Sequence, residues 1–244
     1  MTDGTPTGAA PVRASDHPEA TWARLSTAGG WSALAYLVLV LVPMALVFVA
    51  PVPPAEGAGV LAYIADHKVV YLAELVCFVG LSVPALVVFS AVAVALVPRN
   101  RTVAALGGLF GVVSETIALA LGSSPQSLNG GLVLLADRYQ GAGSDAERSG
   151  LVSAADALVA ATNAVSWAGI LTAAAILLLS LVMHRSAFGR VVGTIGVIAG
   201  VVGIASEALR PMIGPAYLLY GLLLPTWFAL VGWRLLHLHA RDEA

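Results

Sequence analysis

The sequence predicts an all-α membrane protein: a polytopic bundle of six transmembrane helices, N- and C-termini cytoplasmic, with short interfacial helices on the outer side. Three observations predict it. Only 11% of the 244 residues are charged and 59% are hydrophobic, whereas an ordinary soluble domain is about 25% charged. Six apolar runs, near 27–50, 69–97, 103–122, 152–182, 190–209 and 215–237, can each cross a hydrocarbon core of ~30 Å, which takes roughly 20 residues. Arginines, finally, gather on alternate connections. With the N-terminus inside, the inner side collects Arg13, Arg24, Arg99, Arg101, Arg185, Arg190, Arg234 and Arg241, and the outer side only Lys68, Arg138, Arg148 and Arg210.

Each element follows from these runs. Hydrocarbon offers no water to backbone groups, so the runs are helices. Residues 1–26, "MTDGTPTGAAPVRASDHPEATWARLS", are polar and contain Pro and Gly; they read as a disordered cytoplasmic segment. The first apolar run starts too late and is too long for a secretory signal, so it is an uncleaved span. Residues 27–238 form the transmembrane domain and 239–244 a cytoplasmic tail. The second and fourth runs exceed one crossing and must tilt or project.

Two outer connections are elaborate. Residues 51–68, "PVPPAEGAGVLAYIADHK", carry Val60, Leu61 and Ile64 on a short helix expected to lie on the outer interface. Residues 123–150 hold "SLNGGLVLLADRYQ" and then "GAGSDAERSG", a short helix and an acidic loop. The inner connections, "PRNRT" and "MHRSAFGR", are short and basic. Ligands are therefore expected to arrive from outside. No internal repeat supports an inverted-repeat transporter. The net charge of −2 gives no reason to expect nucleic acid as a partner.

Small residues at helical spacing mark the packed faces. In the fifth span Gly189, Gly193, Gly196, Gly200 and Gly203 recur at steps of 4, 3, 4 and 3, one helix face suited to close approach of a neighbour. The same steps lead on to Glu207 and Arg210, an acid inside the bundle with a base one turn away. In the third span Gly108, Gly111, Glu115, Ala118 and Gly122 repeat the pattern. Facing lipid, Glu115 would cost roughly 2.5–3.5 kcal/mol, so it is expected to turn inward. Glu74 lies in the second span, and Asp156, Asn163 and Trp167 are spaced to share one face of the fourth.

The topology puts Glu74, Glu115, Asp156, Glu207 and Arg210 in the outer half of the membrane. We therefore expect a polar pocket that opens outward, with Asn163 near its floor. Glu115, Glu74 and Asp156 are the candidate catalytic acids. Plainer roles stand beside these: Glu207 and Asp156 are close enough to span ends for interfacial ion pairs, Glu74 reaches the surface if its helix tilts, and Asn163 suits interhelical glue.

Other chemistry is sparse. Cys77, the sole cysteine, reads as packing. His237 and His239 are two apart and diverge on a helix, and His67 sits between Asp66 and Lys68 at the interface. No phosphate-binding loop, nucleophile elbow or metal-ligand spacing occurs, so neither metal nor cofactor is expected. Trp22, Trp31 and Trp233 suit the inner boundary and Tyr71 and Tyr217 the outer one. Eleven arginines against one lysine, with abundant Ala, Gly and Val, point to a high-GC bacterial genome and hence to the plasma membrane.

The segments "VLAYIADHKVVYLAELVCFVGLSVPALVVFSAVAVALV", "ARLSTAGGWSALAYLV", "SETIALAL" and "RSAFGRVVGTIGVIAGVVGI" resemble a bacterial six-span membrane family, the domain-of-unknown-function family four-three-eight-six. The likeness covers roughly residues 24–238, with Gly189 standing where that family usually has Pro. It implies the same fold and topology and carries no activity or catalytic residues.

Three functions follow from the residues. The first is binding or conduction of a small lipophilic or cationic molecule, with membrane lipids as the other partners. The second is an intramembrane cyclase or isomerase whose carboxylic acid, kept neutral by burial, protonates an apolar lipid or isoprenoid. The third is an accessory or assembly subunit. An apolar, aromatic-lined cavity the size of an amphiphile would favour the second; a filled core with Glu207 paired to Arg210 would favour the third.

Overall fold

The computed structural model describes residues 18–124 and 127–238. They form helices α1 (Pro18–Leu46), α2 (Gly57–Gly80), α3 (Ser82–Leu96), α4 (Arg101–Leu121), α5 (Gly130–Gly141), α6 (Asp145–Asn163), α7 (Trp167–Met183), α8 (Gly189–Ala208), the single turn α9 (Arg210–Ile213) and α10 (Tyr217–His237). A two-residue antiparallel pair, Ser123–Ser124 with Leu128–Asn129, links α4 to α5. Among the described residues, six stretches are long and apolar enough to cross a membrane: Arg24–Leu46, Gly57–Leu96, Arg101–Leu121, Asp145–Met183, Gly189–Ala208 and Arg210–His237. The chain is an all-α, multi-pass membrane protein.

The first helix begins earlier than its apolar run. Pro18 opens it and Glu19 and Ala20 follow, a sequence well suited to a first turn, so residues 18–26 are helical rather than part of a disordered segment. Residues 1–17 and 239–244, with Arg13, His239 and Arg241, lie outside the described residues.

The two long runs are each divided. Residues 57–96 make a path of about 60 Å at 1.5 Å per residue, twice the hydrocarbon thickness. Pro84 has no N–H to give the Gly80 carbonyl, and α2 passes into α3 at Leu81, which keeps helical angles (φ −63°, ψ −18°). The fourth run breaks more sharply. Ala164 (ψ 174°) and Ser166 (φ −100°, ψ 105°) are extended, and Ser166 caps α7 by accepting the Gly169 N–H at 3.0 Å. Asp156 and Asn163 therefore do not share a helix with Trp167, and the single face expected of them does not exist.

Two separate cores result. One joins α1, α3, α4, α7, α8 and α10; Tyr36 stacks on Phe228 with ring centroids 3.8 Å apart, and Phe89, Trp227 and Leu179 are fully buried. Small residues set its helix contacts. The Phe89 ring covers Gly111, and at Gly196 the Ser180 hydroxyl occupies the space of a Cβ while accepting the Trp227 indole N–H at 3.0 Å. Gly29 and Gly30 in α1 face Leu235 and Leu236 in α10. That pairing is antiparallel, so α1 begins at the end of the bundle where α10 finishes.

The second core is a cap at the opposite end, built from α2, α5 and α6. Val60, Leu61 and Ile64 are fully buried there against Leu132, Ala155 and Val159, not laid on a lipid interface as expected. An apolar helix face needs a cover, and here α5 and α6 provide it. Tyr71 donates its hydroxyl proton to the Ser127 carbonyl at 2.9 Å and accepts the Asn129 N–H at 2.8 Å.

Candidate functional site

Between the cap and the six-helix core lies a cavity of about 720 Å³. It is bounded by α1, α4, the α6–α7 turn, the end of α8 and the first half of α10. Its lining is mainly apolar and aromatic, including Tyr36, Phe78, Trp167 and Tyr220, with two acidic groups set into the wall.

Glu207 ends the glycine face of α8, which packs on α7 and delivers the carboxylate to the first turn of that helix. A Cβ on Gly169 would overlap the Glu207 carboxylate, so the glycine makes its seat. Arg210, one turn on, forms an ion pair with Glu207. Tyr217 donates to Glu207 Oε1 at 2.7 Å and accepts from Arg210 Nη2 at 3.1 Å. Arg210 Nη1 also donates to the Thr162 carbonyl at the end of α6, 3.3 Å away. This network joins cap to core and leaves Glu207 electrically matched.

Glu115 is placed by α4, whose buried face is Gly107, Gly108, Gly111 and Ser114. Its side chain is buried, and Thr172 of α7 donates a hydrogen bond to Oε1 at 3.2 Å. Ser82 of α3 approaches the same carboxyl. The neighbouring Ser114 donates to the Ala168 carbonyl at 2.6 Å and lies 2.5 Å from Thr172 Oγ1. No cation balances Glu115: the ion pairs among the described residues are Lys68–Asp137 and Arg210–Glu207. Tyr36 and Tyr220 line the same cavity, and neither hydroxyl bonds to a described residue.

The cavity thus brings together Glu115, Glu207 and Arg210. It does not include Glu74, Asp156 or Asn163. Glu74 is buried in α2 without a hydrogen bond to a described residue. Asp156 stands in the cap, where Oδ1 accepts the Gly57 N–H at 2.5 Å and so caps α2 from a distant helix. Asn163, the last residue of α6, is half-buried, while its neighbours Thr162 and Ala164 line the cavity.

Several lining residues escaped the sequence reading. Tyr217 was expected to anchor at the interface, because an aromatic near a span end looks the same whether it meets lipid or an ion pair. Ser82, Ser114 and Thr172 are hydroxyls scattered in apolar runs; the adjacency of Ser114 to Glu115 was the available signal. No group of three or more His, Cys, Asp or Glu among the described residues could hold a metal ion. In comparisons with known proteins, no family model, curated protein or solved structure matches the chain.

Proposed function

We propose that this membrane protein binds a small lipophilic cation in the cavity beneath its cap, with the charge at Glu115. One observation carries the reading: Glu115 is a buried carboxyl on the wall of a largely apolar cavity, and its partners among the described residues are hydroxyls. A carboxylate so placed gains most from a ligand that brings its own positive charge. Aromatic faces around the cavity add cation–π attraction for an alkylammonium group. The volume falls among sites that hold one drug-sized molecule, about 300–1,000 Å³.

The arginine distribution supports placing the cap outside and both termini in the cytoplasm. The resemblance to the six-span family supports that topology and adds no ligand.

Calorimetric titration of dodecylamine into the protein in lipid nanodiscs tests the reading. Saturable binding is expected, weakened at least about tenfold by Glu115→Gln, which corresponds to about 1.4 kcal/mol. Equal binding by both proteins would remove the role given to Glu115.

A second reading is favoured by the aromatic, apolar lining: Glu115 acts as a general acid on an isoprenoid-like substrate. It requires product formation, detected by mass spectrometry, that Glu115→Gln abolishes without abolishing binding. An accessory subunit is supported less well. The Glu207–Arg210 pair fits it, but the open cavity beside the pair has no place in a purely structural design.

A further inference from the structure

We infer that the ligand enters this cavity sideways, from the hydrocarbon of the outer leaflet, through a mouth formed by the ends of α4, α7 and α10. This inference rests on the binding reading above and names its ligand class: a single-chain amphiphile with a cationic head.

The mouth is defined by residues that both line the cavity and face outward. Leu121 at the end of α4 is 63% exposed, Trp167 at the start of α7 is 73% exposed, and Leu218 in the first turn of α10 is 65% exposed. Met44 and Leu222 continue the rim and are half exposed. Every one is apolar and belongs to a membrane-crossing stretch. Presented to water, such a group would form an unfavourable exposed patch; presented to acyl chains, it costs nothing.

Phe78 of α2 and the end of α6 form the wall nearest the cap, and Arg210 holds Thr162 of α6 to the end of α8. The rim and the lining together make a passage with apolar sides that leads inward to an acid. A molecule taken from lipid meets that order of surfaces if its tail trails into the bilayer and its head goes in. Charge selects the head: Glu115 has no counter-charge among the described residues, whereas Glu207 is already neutralised.

Trp167 reports on the mouth directly. Wild type and Trp167→Phe are reconstituted in liposomes of phosphatidylcholine with brominated acyl chains, and the difference in their emission isolates Trp167. That emission should be quenched by the brominated chains and insensitive to aqueous iodide. Dodecylamine at a concentration that just saturates wild type should restore part of it there and clearly less in Glu115→Gln.

Quenching by iodide without quenching by brominated chains overturns the sideways route. Dodecylamine that binds calorimetrically yet leaves Trp167 unchanged also overturns the route, while the binding reading stands. Dodecylamine that fails to bind wild type overturns both. Chain length gives an independent check. If octyl-, dodecyl- and hexadecylamine bind with affinity that rises and then levels, the tail has an exit; a collapse for hexadecylamine marks a closed cavity and overturns the route.

Discussion

Glu115 and Glu207 are both buried acids beside the same cavity, and they differ in what surrounds them. Glu207 has a guanidinium and a phenol as partners; Glu115 has hydroxyls. Removing Glu207 therefore leaves the largely covered Arg210 guanidinium, its side chain 12% exposed, without its counter-charge. Glu207→Gln should destabilise the protein by about 3–5 kcal/mol, measured by reversible denaturation in mixed micelles, and the double change Glu207→Gln with Arg210→Met should recover part of that loss. Gly169→Ala drives a methyl group into the Glu207 carboxylate and should cost about 1–3 kcal/mol without touching Glu115. At this scale the sequence was informative wherever helical spacing links an acid to glycines. It did not reveal the Glu207 and Glu115 contacts of Tyr217 and Thr172, which reach other helices at distances that no spacing rule encodes.

Helices and their breaks form the next scale. The six apolar runs were legible because burial in hydrocarbon demands length and composition, and both can be read along a chain. The interruption at residues 164–166 was not: Ala164 and Val165 are apolar, one serine does not end such a run, and hydropathy records composition without continuity. The break matters because it starts α7 at the cavity and aims Ser166 at the Gly169 N–H. Ser166→Ala should cost about 1 kcal/mol, and hydrogen exchange should show faster loss of protection in the first turn of α7 than in its last. At Gly196, any side chain must displace Ser180 and Trp227. Gly196→Leu should separate α7 from α8, destabilising by more than the Ser166 variant in the same denaturation assay.

The whole molecule is a bundle with a cap that has its own core. That division was invisible in the sequence, since the apolar face of Val60, Leu61 and Ile64 has one pattern whether lipid or protein covers it. Asp156 fastens α6 to the start of α2; Asp156→Ala should raise hydrogen exchange over residues 57–64 and leave α8 and α10 protected. A uniform rise across the chain would mean that cap and bundle open as one unit.

The cap is also drawn from two stretches, residues 57–80 and 128–163, with α3 and α4 running between them. With the cap outside, as proposed above, the earlier stretch crosses during synthesis and meets no mate until two more spans have been threaded. Its three aliphatic side chains wait uncovered on the far side of the bilayer through that interval. A nascent chain halted near residue 125 would be a substrate for quality-control proteases, whereas one halted beyond α6 would already have hidden the vulnerable face.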